Sequence, residues 1–281
     1  MTRKNQIWNI TPRPAIFKIR LRNLCPYRYL FAKLIQREIT SFYRQTLLGP
    51  LWFFIQPLLT TSIFVFTFGK LTKIPTDGIP PPLFYLSGII IWNYFTDCIN
   101  KTAGVFKDNL PLFSKIYFPR IIMPLSTVTA LLMRFGIQLS LFITLLIFYR
   151  FNGFRFHLNS YIFLFPLLII NTAALGLGIG LLISALTIKY RDLNFLIAFG
   201  IQLMMYATTV IFPLSATPKH FRKLLQINPV TNIIETFRYA LFSKGLTNLQ
   251  SLISALIISA VILFCGIIAF KRAETNFIDN V

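Results

Sequence analysis

Of the chain's 281 residues, 55% are hydrophobic, 16% aromatic and only 13% charged, and a mean hydropathy of +0.66 is far too high for a soluble domain. A formal net charge of +20 raises nucleic acid as a partner, but the basic residues alternate with apolar runs and form no continuous face, which argues against it. Cys25, Cys98 and Cys265 are too few and too scattered for a disulfide framework or a CxxC metal site.

In chain order, residues 1–27 read as a basic cytoplasmic segment. Ten basic residues run from Arg3 to Arg44 with no apolar h-region and no small-residue cleavage site, so the first span is expected to act as its own insertion signal. Residues 28–46 predict an amphipathic interfacial helix. Phe31, Leu34, Ile35, Ile39 and Phe42 recur at helical spacing, while Lys33, Gln36, Arg37, Ser41 and Arg44 face away. Its apolar face is expected in the acyl boundary and its basic face among headgroups, either as a plain anchor or as part of substrate loading. Residues 47–281 then form one membrane domain with six predicted spans, 51–69, 83–102, 121–149, 160–187, 194–212 and 251–270. These approach or exceed the ~20 residues that cross a hydrocarbon core.

Six spans put both termini on one side. With the N-terminus cytoplasmic, the inside segments hold 18 basic residues and the outside segments 9, in the sense of the positive-inside rule. The inside segment 107–120 carries Lys107, Asp108, Lys115 and Arg120. It is expected to expose Leu112, Phe113, Ile116, Tyr117 and Phe118, a charge-rimmed apolar patch that suits a partner or the inner headgroup layer. The outer segment 217–244 predicts two short re-entrant helices buried in protein. Thr217 before Pro218 and Asn228 before Pro229 read as caps. Val230, Ile233, Ile234, Phe237 and Leu241 form a stripe, Glu235 can meet Arg238 one turn on, and Gly245 is the expected stop.

Two features lie within the spans. A charge such as Arg134 costs at least ~2.5–3.5 kcal/mol at mid-bilayer, so it should have a partner, and Asp97 in the neighbouring span is the favoured one. Contact with cargo or a water-filled cavity is the alternative. Gly176, Gly178 and Gly180 include a GxxxG spacing that serves either packing within one subunit or dimerisation. Most of the aromatic residues are expected in lipid contact, interface belts and helix packing, with Trp52 and Trp92 in the belts.

Five segments carry a resemblance. They are Tyr43-Arg-Gln-Thr-Leu-Leu-Gly-Pro-Leu-Trp52 leading to Gln56-Pro57, Gly88-Ile-Ile-Ile-Trp92, Lys115-Ile-Tyr-Phe-Pro-Arg120, Tyr190-Arg-Asp192, and Asn228-Pro229 followed by Glu235 and Arg238. In this order and placement they resemble the permease subunits of ABC-2 type exporters of O-antigen, capsule and teichoic-acid polymers. The resemblance implies an all-α integral membrane protein that forms a homodimer of six-span subunits. It also implies a cytoplasmic gate helix at 28–46, two re-entrant helices before the last span, and a separate dimeric ABC ATPase that binds ATP and Mg. The implied cargo is a lipid-diphosphate-linked polysaccharide, carried outward across the inner membrane for lipopolysaccharide or a similar surface polymer. The resemblance also places the coupling contact with the ATPase in segment 107–120, on Leu112, Phe113, Lys115, Ile116, Tyr117, Phe118 and Arg120. Arg37 and Arg44 become candidates to meet the diphosphate, with lipid headgroup contact as the alternative.

The residues themselves provide no motor, because no GxxxxGK[ST] run exists to cradle phosphates. The eight acidic residues are scattered, and His157 and His220 both fall on the outer side, so catalysis and a bound cofactor or metal are not expected in this chain. Export of another lipid or small molecule, or a membrane-bound glycan transferase, are the rival readings.

Overall fold

The computed structural model describes residues 25–43, 49–113, 118–187 and 193–278, and every regular element among them is helical. Helix α1 (Arg28–Tyr43) lies along α6 (Ile122–Phe151). Its apolar stripe is turned onto protein: Leu34 is buried, and Leu30, Phe31 and Phe42 pack against the core. Part of the stripe is thus taken up by protein, while Ile35 and Ile39 stay half-buried. Lys33, Gln36, Arg37 and Ser41 remain outward.

Helix α2 (Trp52–Phe64) contains Pro57 and runs on into a wider π-helical stretch, Val65–Leu71, where Thr72 N–H reaches back five residues to the Thr67 carbonyl. Helix α3 (Pro81–Ala103) starts on a proline at its first turn and forms the centre of the bundle, buried without a break from Leu83 to Trp92. The short helices α4 (Val105–Asp108) and α5 (Leu110–Phe113) lead to α6, and a 3₁₀ turn at Ser160–Leu164 leads into α7 (Phe165–Thr187). Helix α8 (Leu193–Tyr206), helix α9 (Lys219–Ile227), helix α10 (Pro229–Phe242) and helix α11 (Leu249–Ile278) follow.

Among the described residues, four helical stretches are long and apolar enough to cross a membrane: Trp52–Leu71, Ile122–Phe151, Ser160–Thr187 and Leu249–Glu274. Helix α3 is long but less apolar, since Asn93, Thr96, Asp97 and Asn100 interrupt it. Protein encloses its first half, Leu83–Trp92, where no lipid-facing stripe is needed. Helices α7 and α11 pack closely along their length. A Cβ on Gly178 would come within 2.7 Å of the Leu263 backbone, while Gly176 and Gly180 face Phe95, Cys98 and Thr102 of α3. The glycine run thus closes contacts inside one subunit.

Three boundary expectations change. The fifth predicted span ends at Tyr206 instead of 212, because the chain at 207–210 turns its carbonyls towards α9 and α10. Thr217 does not cap α9, which starts after Pro218 without a side-chain cap, whereas the Asn228 side chain accepts from Val230 N–H at 3.0 Å and caps α10. The stop of α10 is Ser243, left-handed at φ 52°, two residues ahead of Gly245. The two outer helices also differ: α10 is buried along nearly its whole length, and α9 has no buried residue.

Candidate functional site

Charged side chains gather at three levels of the bundle. At the end formed by α3–α10 contacts, Glu235 and Arg238 are each only 2% exposed. The Arg238 guanidinium donates from Nε to Ser87 Oγ (3.1 Å), from Nη1 to the Thr209 carbonyl (2.5 Å), and from Nη2 to the carbonyls of Phe84 (3.1 Å) and Val210 (3.2 Å). Nη1 also lies 3.5 Å from Glu235 Oε1, which accepts from Leu214 N–H. The group stacks on Phe84, 3.6 Å from the ring centroid. All five donors of the fork therefore face an oxygen, which is how a buried arginine avoids an unsatisfied group. Space for it depends on Gly88, where a Cβ would stand 2.8 Å from Nη2.

Deeper in the bundle, Arg134 Nη1 lies 2.8 Å from Asp97 Oδ2 and 3.0 Å from Oδ1, so the structure brings these two predicted partners together. Arg134 Nη2 also donates to Gln56 Oε1 at 2.7 Å, and the guanidinium sits 5.2 Å from the Phe53 ring. This node is looser. The Arg134 and Asp97 side chains are 19% and 22% exposed, Gln56 lies on an exposed part of α2, and Arg134 Nε has no hydrogen-bond partner. One turn along, Asn93 donates to Gln138 at 3.4 Å, extending a polar seam between α3 and α6.

At the α1 end, Arg37 donates to Asn109 Oδ1 at 2.6 Å and pairs with Glu38 at 3.2 Å. It stays 48% exposed and ties α1 to the α4–α5 turn. Arg44 lies outside the described residues, as do Lys115, Ile116 and Tyr117. The remaining members of segment 107–120 correct the sequence expectation. Phe113 and Phe118 are buried, and Leu112 is partly buried. Phe106 stacks on Phe270 of α11 at 4.6 Å between ring centroids, with Phe113 6.0 Å from Phe106 and Phe118 5.8 Å from Phe113. Arg120 lies 5.3 Å over the Phe113 ring and 3.8 Å from Glu274. The rings thus anchor the segment to the base of α11, while Lys107, Asp108 and Pro111 are exposed.

Sequence reasoning missed Gln56, Asn109, Phe270 and Glu274. Gln56 carried a signal, being the one amide in the first span, and Glu274 another, as an acid one turn beyond Lys271. The carbonyls around Arg238 carried none.

No grouping of three or more metal-ligating side chains occurs among the described residues. The arrangement is one of helix contacts held by charge and of polar groups inside a membrane-sized bundle.

Residues 29–242 match the family described as ABC-2 type transporter. Among curated relatives, an O-antigen export system permease protein RfbA of Myxococcus xanthus is 27% identical over 264 residues, covering 93% of this chain and 98% of the relative. A protein of the same name from Klebsiella pneumoniae is 26% identical, with 89% and 95% covered. The polysialic acid transport protein KpsM of Escherichia coli is 26% identical, with 88% and 94% covered.

Proposed function

The chain belongs to the ABC-2 type transporter family, and from that premise we propose that it is the permease subunit of an ATP-driven exporter that moves a polysaccharide out of the cytoplasm. The observation that carries the reading is the match over residues 29–242, joined to relatives named for O-antigen export and polysialic acid transport that align over nearly their whole length. It is a multi-pass membrane protein and a transporter permease, not an enzyme. ATP and Mg belong to a separate ATPase partner, in keeping with a sequence that has no phosphate-cradling loop.

The finer features are proposed on particular observations. Six spans follow if α3 and α8 cross the membrane together with the four strongly apolar stretches. An inner-membrane location with both termini cytoplasmic is supported by the 18 to 9 asymmetry of basic residues. A homodimer is supported by α8, which rests only lightly on α7 and leaves Phe195, Leu196, Phe199 and Leu203 exposed. A spanning helix with so few contacts in its own subunit gains them from a second copy. The cargo's lipid diphosphate is assigned to Arg37 and Arg44, since a planar fork holds two phosphate oxygens at once. Half-exposed Arg37 keeps donors free for this while Asn109 steadies it.

ATPase coupling stays with segment 107–120, now through Lys107, Asp108 and Leu112 with residues 114–117. Phe113, Phe118 and Arg120 carry its movement into α11. Asp108→Lys with Leu112→Ala should leave the permease inserted while weakening co-purification of the ATPase. Normal retention of the ATPase would move the contact to Tyr190–Asp192 or α1. The function itself is tested in inverted membrane vesicles supplied with ATP and a lipid-diphosphate-linked glycan. Uptake should require both this chain and a partner P-loop ATPase, and uptake that persists without this chain would refute the reading.

A further inference from the structure

Between α2 and α6 the bundle leaves an open groove of about 260 Å³ that nothing in the transport reading uses. Leu58, Val65 and Phe66, from α2 and its π-helical extension, form one wall and Leu145 of α6 the other. Buried Thr61 also lines it. Ser62 borders the groove too, but its hydroxyl donates back to the Leu58 carbonyl at 2.9 Å, so the trough is mainly apolar. Lys70 borders it together with Pro82, in the first turn of α3.

From Leu58 to Lys70 a rise of ~1.5 Å per residue gives a length of roughly 18 Å, close to the ~15 Å that one leaflet contributes to a ~30 Å hydrocarbon core. Lys70 therefore ends the trough at headgroup depth. It is exposed, and it enters no ion pair among the described residues. Asp77 is the only acid between residues 51 and 96, and it accepts from Ser215 Oγ at 2.5 Å. Residues 139–170, which include the other wall, contain no acid at all. The groove thus has a cation at its mouth and no carboxylate to answer it.

We infer that this groove holds an anionic phospholipid of the outer leaflet, with one acyl chain along Leu58, Val65, Phe66 and Leu145 and its phosphate on Lys70. An ammonium at the interface above an apolar trough mirrors a phosphate joined to a hydrocarbon chain, and a lysine near the surface draws anionic headgroups. About 260 Å³ spread along that length admits a single chain and not a helix ~10 Å across, which excludes insertion of a second copy. A chain seated here fills the space between α2 and α6 and supplies contacts that the protein itself leaves unmade. The inference rests on the topology proposed above, with Lys70 at the outer face, and on nothing about the cargo.

The test uses the full permease–ATPase complex in phosphatidylcholine vesicles. These contain a trace of phosphatidylglycerol or phosphatidylcholine with a photoactivatable diazirine on one acyl chain, and labelled peptides are mapped by mass spectrometry. Label should fall on residues 58–66 and 141–149 several-fold more than on Ile253, Ile257 and Val261, which are 47%, 57% and 56% exposed on α11. There the phosphatidylglycerol probe should exceed the phosphatidylcholine probe about fivefold, the equivalent of the ~1 kcal/mol that one lysine contributes near a membrane surface. Lys70→Gln should remove that preference and Lys70→Arg should keep it, each variant eluting as the intact complex. Leu145→Trp, which fills the groove, should lower labelling by both probes. Equal labelling of the groove and α11, or by the two probes, overturns the inference. So does loss of label to excess lipid-diphosphate-linked glycan, which gives the groove to the cargo's carrier. With Cys25 and Cys265 replaced by serine, an efficient disulfide between subunits through Phe66→Cys overturns it as well, giving the groove to a second copy. Labelling is read without transport, so none of these outcomes decides polysaccharide export.

Discussion

Arg238 and Arg134 are the same side chain set into the same bundle in two different ways. Arg238 is 2% exposed, and every donor it has meets an oxygen from α3, α10 or the 207–214 turn. Arg134 keeps one donor unpartnered, and its third anchor, Gln56, sits on a helix that little else holds. The first arrangement has one geometry and costs much to disturb. The second retains its ion pair if α2 shifts away, since Asp97 and Gln56 bond to different nitrogens of the fork. A fixed clamp at one level and a releasable tie at another suit a permease whose helices must move during transport.

The contrast breaks first at Arg238. Arg238→Met leaves Glu235 as an unpaired buried charge, and one-sided loss of a buried pair costs about 3–5 kcal/mol. Folded protein in detergent, followed by size-exclusion chromatography, should fall to a small fraction of wild type. Adding Glu235→Leu should recover only part of it, because the carbonyls of Phe84, Thr209 and Val210 still lack their donor. Gly88→Ala comes next, pushing a methyl group onto Nη2. Overpacking typically costs about 1–3 kcal/mol, visible as a lower thermal midpoint for the purified protein.

At the looser node the losses should be smaller and reversible. Arg134→Ala strands a partly hydrated Asp97 at about 1–3 kcal/mol, and adding Asp97→Ala should restore much of the yield. Strict additivity of the two losses would show that the 2.8 Å contact carries no coupling. Gln56→Ala should cost least, about 0.5–1.5 kcal/mol. Its sharper readout is a cysteine pair across α2 and α6, which should cross-link less efficiently in the variant. Equal cross-linking would mean that Gln56 ties nothing.

Much of this was readable from residues that interact locally or through a single strong constraint. Apolar run lengths located the helices. The cost of an intramembrane charge paired Arg134 with Asp97, and Asn228-Pro229 marked the start of α10. What escaped depends on residues far apart in the chain. Phe113 and Phe118 looked exposed because segment 107–120 is polar, yet Phe270, more than 150 residues later, completes the cluster that buries them. The sequence alone predicts both α9 and α10 to be buried in protein. What separates them is packing against α3, α7 and α11, where Phe237 of α10 meets Phe142 and Phe165 and Arg238 collects oxygens from three separate segments. The early end of α8 has the same origin, since the Thr209 and Val210 carbonyls serve Arg238 instead of continuing a helix.

The central claim, that this chain is the membrane path for a polysaccharide, is tested most directly by deleting its gene and locating the cell's surface glycan by fractionation and antibody or lectin staining. The glycan should vanish from the surface and accumulate on the cytoplasmic side. Restoration should follow from the wild-type chain and fail with Arg238→Met. A surface glycan present at normal level, with none retained inside, would contradict the account.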